Sequence, residues 1–164
     1  MKLIQTPNCL PRELATSQVF VLGRLGYELK HHAIEELEAA GFSFYDYSVL
    51  ALAAEGACTA QSSMADLLRL DRSQLVGLLD GLEKRGLIER RRDPSDRRRH
   101  LISITTTGGT ELTRLRAIIK QIEDEFLAPL DAESREQLYE LTVRLACFHD
   151  VRFVPPVEVA AEVA

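Results

Sequence analysis

The chain has 164 residues, 46% hydrophobic and 27% charged, with a formal net charge of −5. That length suits one compact domain, or one domain with an appendage, and the apolar fraction is too high for a disordered chain. No apolar run approaches the roughly 20 residues that span a bilayer, residues 1–15 lack the apolar core of a signal peptide, and Cys9, Cys58 and Cys147 offer no disulfide framework or zinc ribbon; a cytoplasmic protein without membrane contact is expected.

Pro11 can open a helix, and Leu14, Gln18, Leu22, Leu25 and Leu29 follow at three- and four-residue spacing. The pattern runs through Ala33, Ile34 and Leu37 to Gly41, a C-terminal stop. It predicts one helix of about 30 residues, long enough to need apolar cover from a partner chain. Ser43 and Asp46 have capping-box spacing, and Tyr47, Leu50 and Ala54 mark a short second helix ending before Gly56. Thr59 can cap a third, with Met64, Leu67 and Leu68 inward. Asp71 and Gln74 form another capping box, opening a fourth helix that buries Leu75, Leu78, Leu79 and Leu82 and stops at Gly86. Helix, short turn, helix and glycine stop make a helix-turn-helix pattern.

Ile88 with Arg90 and Arg92, and Ile102 with Ile104, alternate with period two around Asp93-Pro94-Ser95-Asp96, a run of turn formers. This reads as a β-hairpin with a long basic tip, so the lobe is a winged helix. The charge is segregated there: Lys84 to Arg99 holds eight basic and three acidic residues, +5, while the remaining 148 residues carry −10. Seven of the eight are arginine, whose planar fork suits phosphate. A basic surface thus hides inside an acidic total.

Thr105 to Thr107 can cap a fifth helix, in which Leu112, Leu115, Ile119, Ile122 and Phe126 form a heptad-like seam ended by Pro129. Asp131 caps a sixth helix, with Leu138, Leu141, Leu145 and Phe148 on one stripe. Residues 151–164, with Pro155-Pro156, show no periodicity. The expected fold is mainly α with a small β-hairpin wing. A dimerisation helix covers 1–41, a winged helix-turn-helix lobe 42–106, C-terminal dimerisation helices 107–150 and a tail 151–164.

The stretch Met64-Ala65-Asp66-Leu67-Leu68, Asp71-Arg72-Ser73 and Leu82-Glu83-Lys84-Arg85-Gly86-Leu87-Ile88-Glu89-Arg90, continuing through Asp93-Pro94-Ser95-Asp96-Arg97-Arg98 to Ile104-Thr105 and Gly108, resembles the MarR family of bacterial transcriptional regulators. The family pattern there is approximately L-E-x-x-G-L-I/V-x-R, D-P-x-D-x-R and L-T-x-x-G, and the spacing fits without gaps. The resemblance implies a homodimer: the first helix, the end of the fifth and the sixth form one layer, and two winged lobes bind a pseudo-palindromic double-stranded DNA operator, as a repressor.

On that reading the fourth helix enters the major groove by its N-terminal part. Gln74 can pair with adenine, Ser73 with several groups, and Val76 can touch a thymine methyl. Arg72 sits near a phosphate, and Lys84 shares the outward face. Gly77 and Gly81 stand where many family members carry basic residues, which points to sparse direct readout supported by backbone approach and DNA shape. In the wing, Asp96 orients Arg98, and Arg97 or Arg98 enters the minor groove. Arg90, Arg91, Arg92 and Arg99 hold phosphates or flank the hairpin, while Asp80 and Glu83 are structural.

Family members commonly release DNA when a small aromatic or phenolic ligand enters the crevice between dimer layer and lobe. Tyr27, His31, Phe42, Phe44, Tyr47 and Arg116 are the candidate lining. A cysteine-based peroxide sensor is the redox alternative, though the sensing position falls near Val19 and not Cys9. His31, His32, Cys147 and His149 match no metal spacing, and adjacent helical histidines point about 100° apart; no metal or cofactor is expected. No glycine-rich phosphate loop, G-x-S-x-G or H-E-x-x-H occurs, so no enzyme is expected either. A winged helix that meets an acidic protein through its basic tip remains the other binding class.

Overall fold

The computed structural model describes residues 10–56, 61–92, 100–150 and 152–153. Among them run α1 (Arg12–Thr16), α2 (Gln18–Ala39), α3 (Phe44–Glu55), α4 (Gln61–Leu68), α5 (Arg72–Lys84), β1 (Ile88–Arg92), β2 (His100–Ile104), α6 (Thr106–Phe126) and α7 (Ala132–His149). The strands pair antiparallel, Ile88 opposite Ile104 and Arg92 opposite His100. The fold is helical with one hairpin, as the sequence predicts.

Local chemistry explains most boundaries. Ser43 accepts the Asp46 N–H at 3.0 Å while Asp46 accepts the Ser43 N–H at 2.8 Å. Asp71 accepts the Gln74 N–H at 2.8 Å and Gln74 accepts the Asp71 N–H at 3.2 Å, so both capping boxes close. Hydrogen bonds from the Ser73 hydroxyl and the Gln74 N–H hold Asp71 below the usual carboxylate range. Thr105 and Asp131 cap α6 and α7. Gly41, Gly56 and Gly86 all stop helices with positive φ, where a Cβ would be strained.

The core joins Leu37, Phe42, Val49, Leu50, Met64, Leu75, Leu79, Leu82, Ile88, Ile102, Leu112 and Leu115. Gly108 is buried where α6 begins: an added Cβ would lie 2.0 Å from the Leu87 carbonyl oxygen. The Thr105 hydroxyl donates to the Gly86 carbonyl at 2.7 Å, so the first turn of α6 is pressed onto the turn between α5 and the hairpin.

Several expectations need correction. The single N-terminal helix is two: Ser17 has an extended backbone (φ −78°, ψ 118°) and its side chain caps α2 by accepting from the Phe20 N–H. In α3, Ala53 is buried and Ala54 exposed. Leu67 on α4 and Leu78 on α5 are not buried. Helix α6 ends at Phe126, ahead of Pro129. The Thr59 cap and the tail beyond Phe153 lie outside the described residues. The α6 seam is not a free seam: Leu112, Leu115 and Ile122 are buried within the chain, where Ile119 lines a cavity with residues of α2 and α3. Helix α7 differs. It buries no residue, and its stripe stands open at Leu138 (38% exposed), Leu141 (51%), Leu145 (53%) and Phe148 (83%).

Candidate nucleic-acid interface and effector cavity

Helix α5 turns Leu75, Leu79 and Leu82 into the core and leaves Arg72, Ser73, Gln74, Gly77, Asp80, Gly81 and Lys84 exposed, with Val76 half-buried between them. Arg72, Ser73 and Gln74 therefore occupy the exposed N-terminal turn, and Lys84 the last. In the free chain Ser73 and Gln74 both serve the cap: the Ser73 hydroxyl donates to Asp71 at 2.6 Å, and Gln74 closes the box. The Gln74 amide nitrogen and the acceptor side of the Ser73 hydroxyl take no part in these cap bonds. Added Cβ atoms at Gly77 and Gly81 would meet nothing within 4 Å. The two glycines leave a smooth lane along α5, and with Gln74, Leu78, Tyr45, Asp46, Leu70 and Arg85 they line a groove of about 430 Å³.

The hairpin is fixed to α5 by Arg90. Its guanidinium reaches Asp80 at 2.6 Å and Glu83 at 2.5 Å, its Nε donates to Glu83 at 2.9 Å, and its backbone N–H donates to Glu83 at 3.2 Å. Hydrogen bonding to Arg90 holds the Glu83 carboxyl below its ordinary range. In the chain without DNA, Arg90 thus braces the wing against the helix, which fits the hairpin-flanking half of its expected role. The sequence marks Asp80 and Glu83 as structural, and Arg90 is their partner. Arg91 lies exposed beside Glu89 at 2.7 Å, and Arg92 is exposed at the end of β1. Asp96, Arg97, Arg98 and Arg99 lie outside the described residues.

The six candidate ligand residues do not converge. Phe44 and Tyr47 line a cavity of about 400 Å³ between α2, α3 and α6, with Gly26, Leu29, Lys30, Ala33, Ile119, Ile122 and Glu123. Burial raises the Tyr47 hydroxyl, an effect Arg116 opposes from α6. Arg116 itself is exposed and not in the lining. The Tyr27 and His31 rings lie 5.7 Å apart, tilted by 37°, on the outer face of α2, and His31 lies 3.4 Å from Glu35. Phe42 is buried under Arg85, whose guanidinium is 4.0 Å from the ring centre. Gly26, Leu29, Lys30 and Ala33, the α2 lining missed from sequence, share one helix face, and their i, i+3, i+4, i+7 spacing was the available signal. Cys147 is half-buried on α7, and Cys9 and Cys58 lie outside the described residues. Among the described residues no group of three or more His, Cys, Asp or Glu is placed to hold a metal, and no helix is long and apolar enough to cross a membrane.

A capped helix presented beside a two-stranded hairpin, behind a short preceding helix, is a winged helix-turn-helix, a nucleic-acid-binding class of fold. A sequence model of the MarR family matches residues 46–100. A protein of Thauera aromatica named as a transcriptional regulatory protein for the hcr operon is 33% identical over 99 residues, 60% of this chain and 60% of that protein's own length. A MarR-family transcriptional regulator from Rhodococcus sp. RHA1 is 30% identical, with 88% of this chain and 100% of that one covered and a TM-score of 0.73. CouR from Rhodococcus jostii RHA1, solved with p-coumaroyl-CoA, is 32% identical, with 88% and 99% covered and a TM-score of 0.70. A CouR structure described as a transcriptional repressor on a 23-mer DNA duplex aligns at 28% identity, covering 84% and 98%, with a TM-score of 0.71. The chain belongs to the MarR family of transcriptional regulators.

Proposed function

We propose that this regulator is a homodimeric repressor that reads a pseudo-palindromic operator and is released by a small effector. Helix α5 enters the major groove with Arg72, Ser73, Gln74, Val76 and Gly77, while Lys84 contacts the backbone. The hairpin tip carries Arg97 and Arg98 to the minor groove, with Arg99 at a phosphate and Asp96 orienting its neighbour. The observation that carries the reading is α5 held by the Arg90 brace beside a two-stranded hairpin, whose strands the sequence joins through Arg97, Arg98 and Arg99. The CouR–DNA complex supports a duplex DNA partner. If a dimer neutralises roughly eight phosphates, log K falls with log salt at a slope near −7. Fluorescence anisotropy on duplex DNA across a salt series tests this, and a flat response contradicts it.

The open stripe of α7 supports the dimer, because an apolar face of this kind on a folded chain marks an interaction surface. The layer would comprise 1–41 with 107–150 and the lobe 42–106, although Leu112 and Leu115 of α6 pack into the lobe's core. The effector would enter the cavity of Phe44 and Tyr47. Its rings and aliphatic walls suit an aromatic group, and its charged lining, Lys30 and Glu123, suits polar substituents at the rim. CouR's ligand makes p-coumaroyl-CoA the first probe: it should release DNA, and a Phe44→Ala variant should need more of it.

A further inference from the structure

A second cavity, of about 630 Å³, lies on the other side of Tyr47, between α3, the end of α4 and the segment after α7. Its wall is Tyr47, Ser48, Ala51, Leu52, Leu67 and Leu68, and Phe153 closes one side. Leu67 and Phe153 are large apolar side chains left exposed there, 36% and 55%. The charged lining is two arginines and one carboxylate. Arg152 donates to Asp150 and to the Asp66 and Leu67 carbonyls at the end of α4, so most of its donors are engaged. Asp66 also acts on Arg152 through its charge, from outside the lining.

Arg69 is different. Among the described residues its side chain contacts Asp150 alone, at 3.3 Å, and it is 76% exposed. It is also the one non-glycine residue with positive φ (53°) among those described, at a helix end where glycine sits without strain. That backbone conformation holds a guanidinium, with donors left over among the described residues, at the mouth of an apolar chamber. A planar fork over an apolar wall recognises a carboxylate attached to a hydrocarbon body.

We infer that this chamber is a second ligand site, distinct from the Phe44 cavity, for an amphipathic monocarboxylic acid. The carboxylate pairs with Arg69 in place of Asp150, and the hydrocarbon lies along Leu52, Leu67, Leu68 and Phe153. No covalent bond is made or broken, and Asp150 keeps Arg152 as its partner. The site does not depend on DNA, so it is tested on the free protein. Isothermal titration of the full chain with octanoate should show one site per chain. Arg69→Gln keeps the same backbone strain and should weaken binding tenfold or more. Leu67→Asp should abolish binding, and octan-1-ol should bind at least tenfold more weakly than octanoate. Circular dichroism melting confirms that the variants fold. No heat at millimolar octanoate, binding unchanged in either variant, or octan-1-ol binding as well as octanoate overturns the inference. Because no step uses DNA, these outcomes are separate from failure of the operator reading.

Discussion

Replacing Arg90 with glutamine separates bracing from DNA contact. Exposed ion pairs contribute about 0–1 kcal/mol. The Arg90 guanidinium is only 22% exposed and meets two carboxylates at 2.5 and 2.6 Å, the upper end for charge-assisted bonds, about 1.5–3 kcal/mol. The carboxylates are wetter, Glu83 at 38% and Asp80 at 57%, so screening brings the expected loss to about 1–2 kcal/mol. For a chain of this size that lowers Tm by roughly 2–8 °C. Arg90→Gln should weaken operator binding by loosening the hairpin, yet leave the salt slope unchanged, since no phosphate contact is lost. If Arg90 held a phosphate, the slope would shrink by about two per dimer. Anisotropy titrations of both proteins over a salt series read this directly, and a reduced slope refutes the brace. The sign with pH follows. The folded pKa of Glu83 is lowered, so the brace contributes fully above the unfolded glutamate value and is lost as pH falls through the folded one. The stability gap between wild type and Arg90→Gln, from urea melts, should narrow below about pH 4.3; a gap that widens in acid contradicts the pairing.

Three further outcomes follow. Leu141→Asp with Leu145→Asp should yield monomers in light scattering at micromolar concentration, because two buried leucines supply at least ~3 kcal/mol, over a hundredfold in dimer affinity; an unchanged dimer removes α7 from the interface. Gly108→Ala should cost about 3 kcal/mol in urea melts, since its Cβ meets the Leu87 carbonyl, whereas Gly109→Ala, open on all sides, should gain about 0.5–1 kcal/mol. Equal effects at the two glycines contradict the packing described. Gln74→Ala should lose about 0.5–1 kcal/mol of stability with the capping box and change preference at one base position; binding selections that show unchanged preference remove Gln74 from readout.

Helix starts were legible because a cap is local chemistry: Ser43, Asp71, Thr105 and Asp131 each carry an acceptor that the next turn's N–H must find. The hairpin was legible from its period of two. The break at Ser17 was not, because apolar spacing runs across it and only the serine's own capping power marks it. Register explains the misplaced cavity residues. The lining face of α2 holds Gly26, Leu29, Lys30 and Ala33, while Tyr27 and His31 lie one residue away, on a different face. Arg90 shows the limit of counting charge: its sign was plain in the sequence, but its partners on α5 appear only once β1 lies beside that helix.

The central claim is that a dimer reads a symmetric duplex site. The most direct measurement is selection of genomic fragments by the purified full-length protein against excess random competitor, with the DNA beside its own gene included. The account predicts enrichment of one two-fold-related sequence, with half-sites about one helical turn apart and two chains bound per duplex. Recovery of fragments with no shared sequence, or binding that survives high salt unchanged, would contradict it.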